Sequence, residues 1–180
     1  MKSVYLLTGR PGTGKTSLIK AAVSDLKGRA GGFYTEELRS EAGERYGFRL
    51  VTLDGRSGVL AHVKYKSPER VGKYGVDVRV LDDIGVTAIL GALASCDVIV
   101  IDEIGRMELF SDKFIEAVLG AIGSGKKVLG TVMLNHNSFA DAVKRRPEVE
   151  LIIITRTNNE RVLEEIKAWL GMRGLQYITK

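Results

Sequence analysis

The chain has 180 residues, 44% of them hydrophobic and 27% charged, enough to bury one sizeable core. That balance excludes a disordered or fibrous protein, and a single cysteine, Cys96, excludes a disulfide-stapled one. A formal net charge of +5 favours anionic partners, nucleotides or nucleic acids among them, without choosing between them.

The elements come in alternation. Residues 3–8, "SVYLLT", read as a short buried strand rather than a secretion leader, so the expected location is cytoplasmic. No apolar run approaches the roughly 18 residues of a membrane span. A glycine-rich loop follows, and "KTSLIKAAVSDLK" has Leu18, Ile19, Ala22 and Val23 at helical spacing. Residues 31–39, 46–53 and 58–63 read as three strands joined by "SEAGER" and "DGRS", an antiparallel elaboration over 31–63. A basic connector, 64–77, leads to a helix over 83–94 and an acidic-ended strand over 98–103. Then come a helix over 111–122, a strand over 127–134, a short helix over 138–146 and a core strand over 149–155. An amphipathic helix over 159–170 sets Val162, Ile166, Trp169 and Leu170 on one face. The expectation is one domain, 1–180, of α/β class: a three-layer αβα sandwich around a mostly parallel sheet. Four Asn and one Gln beside many Lys, Arg and Glu point to a heat-adapted source.

Chemistry concentrates in two places. Gly9, Arg10, Pro11, Gly12, Thr13, Gly14, Lys15 and Thr16 spell G-x-x-x-x-G-K-[ST] between a predicted strand and a predicted helix. Glycines let successive N–H groups curl around phosphates, and the helix aims its positive end at them. Lys15 is expected on the β- and γ-phosphates, and the Thr16 hydroxyl on Mg²⁺. The second place is "VIVIDEIG". Four β-branched residues deliver Asp102 and Glu103 side by side, a costly arrangement unless a cation or a reaction uses it. Asp102 is the candidate for the metal's shell, against a plain helix cap. Glu103 is the candidate for orienting or deprotonating water, against a solvated charge.

"DEIG" is also Asp-x-x-Gly, the GTPase pattern, so Gly105 is a candidate for the γ-phosphate. The chain has no Asn-Lys-x-Asp to read guanine, which argues against strict guanine selectivity. After the last strand, "TRTNNER" offers Arg156 to stack on a base and Asn158 to meet its edge, unless Asn158 or Asn159 simply caps the last helix. Arg10, Arg106, Arg145, Arg146 and Arg156 are candidates for neutralising leaving-group charge. His136 reads as a loop histidine and His62 as structural.

Taken together, "GRPGTGKTSLI", "GGFYTEELR" with "RYGFRLVTLDG", "VGKYGVDV", "VIVIDEIGRMELFS" and "TRTNNER" resemble, in order and spacing, the small P-loop nucleoside-triphosphatases. These are known from thermophiles and, in vertebrates, as the cancer-related nucleoside triphosphatase. The resemblance covers nearly the whole chain. It implies a RecA-like arrangement, Mg²⁺-dependent hydrolysis of ATP, GTP, CTP and UTP to the diphosphate and phosphate, and broad base tolerance. The expected protein is a monomer whose partner is its nucleotide, with no membrane. Two rival readings stand: a nucleoside or nucleotide kinase, since the tandem acids suit hydrolysis but a kinase core is similar, and a nucleic-acid-linked switch, which the positive charge motivates.

Overall fold

The structure, a computed structural model, describes residues 2–171. Short buried runs and amphipathic segments alternate and fold into one nine-stranded sheet with helices on both faces. The strands are β1 (Val4–Thr8), β2 (Ala30–Arg39), β3 (Arg45–Thr52), β4 (Ser57–His62), β5 (Arg70–Val71), β6 (Tyr74–Val76), β7 (Val98–Ile104), β8 (Lys127–Val132) and β9 (Val149–Ile153). Their spatial order is β5-β6-β4-β3-β2-β7-β8-β1-β9. From β2 to β9 every pairing is parallel; from β2 outward every pairing is antiparallel. Strand β2 is the seam, running beside β7 at Ala30–Phe33 and extending past it to carry β3. The antiparallel part reaches Val76 rather than Val63. The stretch read as a basic connector holds the small β5–β6 hairpin, whose strands are too short to show alternation.

The helices are α1 (Lys15–Val23), α2 (Val78–Val80), α3 (Thr87–Ser95), α4 (Asp112–Gly123), α5 (Ser138–Lys144) and α6 (Asn159–Trp169). A π-helical stretch, Leu81–Val86, joins α2 to α3, so the helix expected at 83 begins at Val78, where the Asp77 side chain accepts from the Arg79 N–H. Helix α4 begins where the Ser111 hydroxyl accepts from the Phe114 N–H at 3.0 Å, and buries Phe114, Ala117, Val118, Ala121 and Ile122 at helical spacing.

Two cores result. On one face Leu7, Val100 and Leu129 pack under α1 and α6. Trp169 stacks on Tyr5 with ring centroids 4.2 Å apart, and its indole N–H donates to the Lys2 carbonyl at 2.9 Å, which fastens α6 to β1. On the other face Ile99, Ile101 and Val128 pack under α3, α4 and α5, with Phe33 and Phe114 at its centre. Truncating Phe114 would cost about 3–5 kcal/mol, the usual penalty for a buried aromatic. Gly32 (φ +109°) is needed at the seam: a Cβ there would stand 2.0 Å from the Val100 carbonyl oxygen. The carboxyl ends of β1 and β7 therefore open on the same edge of the sheet, one strand apart, which is where α/β sheets bind ligands.

Candidate active site

The phosphate loop leaves β1 at Thr8 and enters α1 at Lys15. Gly12 (φ +77°) and Gly14 (φ +88°) take left-handed conformations that turn the backbone back on itself. Gly9 is required for contact: a Cβ there would sit 2.5 Å from the Ile154 carbonyl oxygen. The Thr13 hydroxyl donates to the Arg10 carbonyl at 2.9 Å and closes the loop. Lys15 Nζ donates to the carbonyls of Gly9 and Arg10, both at 3.0 Å, so the ammonium lies across the loop. Gly14 is the N-cap and has no side chain to satisfy the first-turn N–H groups of α1, whose partial positive charge suits an anion.

Asp102 and Glu103 come from β7, which runs on to Ile104 instead of ending at the acids; the peptide between them is cis. Asp102 is buried and held on both oxygens. The Thr16 hydroxyl donates to Oδ2 at 2.7 Å and the Thr131 hydroxyl, from β8, to Oδ1 at 2.5 Å. Burial pushes its pKa above the ordinary aspartate value, while Thr131, Thr16, the Thr35 backbone and Lys15 pull it down. The charged form is therefore costly but supported by donors. Glu103 is half-buried, and burial followed by the Asp102 charge raises its pKa, with Lys15 opposing. A carboxyl raised in this way is a stronger base than a solvated one.

The fit to Mg²⁺ is a matter of donor type. Thr16 Oγ1 and Asp102 Oδ2, 2.7 Å apart, are hard oxygen donors, and Mg²⁺ takes one or two protein oxygens with phosphates and water completing its shell. Among the described residues no group of three or more His, Cys, Asp or Glu forms a cage, so protein atoms alone do not make a complete site.

The loop after β9 lies against the phosphate loop. The Ile154 N–H donates to the Thr8 carbonyl at 2.7 Å, and Asn159 Oδ1 comes 3.5 Å from the position a Gly14 Cβ would take. Arg156 is exposed there. The Asn158 side chain accepts from the Thr155 N–H at 2.9 Å and donates to the Ile153 carbonyl at 2.8 Å. Its side chain does not cap α6, and reading a base edge would require these bonds to break. Of the other candidates, Arg10, Arg106 and Arg145 are exposed and Arg146 pairs with Glu148 at 3.2 Å. His136 is exposed and lies 2.5 Å from Asp141, next to the Lys144–Asp141 pair. His62 sits between the rings of Tyr46 and Tyr65.

A family model described as NTPase matches residues 4–167. The chain belongs to the NTPase family. It is 47% identical over 161 residues to the nucleoside-triphosphatase THEP1 of Thermotoga petrophila, covering 89% of each chain. It is 38% identical over 184 aligned positions to the cancer-related nucleoside-triphosphatase homolog of Mus musculus, covering 93% of this chain and 96% of that one. The crystal structure of THEP1 from Aquifex aeolicus superposes with a TM-score of 0.86 at 34% identity, covering 93% and 98% of the two chains. In this member of the NTPase family the Thr16–Asp102 bond joins the loop to the acid pair. Two further side chains reach the same place unannounced. Thr131 reads in sequence only as a strand former, and Glu108 only as an acid after a turn, yet both are buried against the acid pair. Gly105, the candidate for the γ-phosphate, lies against the Glu103 and Glu108 carboxyl groups.

Proposed function

We propose that the protein hydrolyses nucleoside 5′-triphosphates to the diphosphate and phosphate with Mg²⁺, with little preference among bases. The observation that carries this reading is the 2.7 Å bond from Thr16 to Asp102, which ties the phosphate loop to the strand that also carries Glu103. The N–H groups of residues 12–14 and of the first turn of α1 would cradle the phosphates. Lys15 would exchange the Gly9 and Arg10 carbonyls for the β- and γ-phosphates. Thr16 and Asp102 would hold Mg²⁺, whose charge neutralises the phosphate oxygens in the transition state. Glu103 would orient a water in line with the γ-phosphorus and take its proton. As the new P–O bond forms, the bond from the γ-phosphorus to the bridging oxygen breaks, and its electrons leave with the diphosphate. Arg156, exposed beside the loop, would stack on any base.

The test is phosphate release from ATP, GTP, CTP and UTP with Mg²⁺ and no acceptor. All four should turn over, and a folded Lys15→Ala variant should show no measurable turnover and weakened nucleotide binding. Turnover only when a nucleoside or nucleotide acceptor is supplied would make the protein a kinase. Salt-sensitive stimulation by RNA or DNA from a negligible basal rate would make it a nucleic-acid-linked switch.

A further inference from the structure

Glu108 opens the 3₁₀ turn Glu108–Phe110 and is 5% exposed, with no ion pair among the described residues. A buried carboxyl without a cation is costly and calls for a reason. The turn does not supply one. Its backbone closes it, the Leu109 N–H to the Gly105 carbonyl at 3.0 Å and the Ser111 N–H to the Glu108 carbonyl at 3.1 Å, and Ser111 caps α4.

The charged group that acts on it most is Glu103. A Cβ built on Gly105 would lie 2.6 Å from Glu103 Oε1 and 3.1 Å from Glu108 Oε2, so the two carboxyl groups close on one point under the turn. Burial, then the charges of Glu103 and Asp102, push Glu108 well above the usual carboxylate range, with its own N–H and that of Gly105 opposing. A carboxyl kept neutral can donate to a neighbouring carboxylate. We propose that Glu108 is a positioning residue for Glu103, holding its carboxylate in the orientation that meets the attacking water. This rests on Glu103 being the water-orienting acid.

The experiment measures kcat and KM for ATP in Glu108→Ala, Glu108→Gln, Glu103→Gln and the Glu103→Gln/Glu108→Ala double variant. Binding of a fluorescent ATP analogue verifies folding. Glu108→Ala should lower kcat about tenfold or more with KM within about threefold, as expected when a reacting group is misplaced. Glu108→Gln keeps a donor of the same reach and should restore kcat to within about threefold of wild type. In the Glu103→Gln background, Glu108→Ala should change kcat by less than about twofold, since the residue it positions is already disabled. Should Glu108→Ala not fold, Glu108→Leu fills the same space and carries the same expectations. Full turnover by Glu103→Gln alone would defeat the reading of Glu103 itself. An impaired Glu103→Gln with wild-type kcat in Glu108→Ala, or with the same fold-loss from Glu108→Ala in both backgrounds, would overturn the positioning role only.

Discussion

Replacing Thr131 with Val tests how Asp102, the proposed metal-side acid, is prepared. Thr131 is 1% exposed on β8, and its hydroxyl donates to Asp102 Oδ1 at 2.5 Å. Valine keeps the β-branched shape and the strand preference, so the change removes a donor and little else. Asp102 is already pushed up by burial, and Thr131 is the foremost of the groups that hold it down. A hydrogen bond to a charged group contributes about 1.5–3 kcal/mol, which is roughly a 10- to 100-fold change in an equilibrium constant. That loss should appear as a 10- to 100-fold rise in the Mg²⁺ concentration giving half-maximal turnover, in line with the effect of removing groups that orient metal ligands. Saturating Mg²⁺ should largely restore kcat, and the defect should be worse at pH 6 than at pH 8, because protonation competes with the cation. Thr131→Ser keeps the donor and should remain near wild type. The assay is a Mg²⁺ titration of phosphate release at two pH values. A folded Thr131→Val protein with an unchanged Mg²⁺ midpoint at both would refute the reasoning.

The buried Glu108 makes a prediction about stability. Its folded pKa lies above its unfolded one, so between the two the folded state holds a proton that the unfolded state has lost, and stability falls as pH rises through that window. Above the window the fold bears the full cost of ionising a buried carboxyl. Glu108→Gln should therefore raise Tm at pH 8 and lose that advantage as pH falls toward about 4.5; a gain independent of pH would contradict this. On the base side, Arg156→Ala should raise KM for ATP, GTP, CTP and UTP together, from wild-type values within about tenfold of one another. Loss confined to one base, or a hundredfold preference in the wild type, would show that edge contacts govern recognition.

The parts of the site that were legible in sequence are those whose signal is local. The phosphate loop is eight contiguous residues with a strand before and a helix after. Val98, Ile99, Val100 and Ile101 announce a core strand because every one of them is buried on both sides of the sheet. Helices α4 and α6 carry their apolar spacing openly. What was hidden depends on contacts made across the chain. The hairpin of β5 and β6 is held by Ala61 and His62 of β4, and strands of two and three residues show no period. The helical start at Val78 was hidden because its cap, Asp77, closes the stretch that reads as a basic connector. Thr131 acquires its role from an aspartate 29 positions earlier. Glu108, in "RMELF", resembles any acid after a turn until the fold tucks it under Gly105; its flanking Met107 and Leu109, both packed against the core, were the one local hint.

The central claim is that Glu103 directs water, and no acceptor, at the γ-phosphorus. The most direct measurement is turnover of ATP in H₂¹⁸O, with mass spectrometry of both products. One solvent oxygen in the released phosphate, none in the diphosphate, and loss of the labelled phosphate in a nucleotide-binding Glu103→Gln variant are the predicted results. Label in the diphosphate, or labelled phosphate formed at an undiminished rate by Glu103→Gln, would contradict the account.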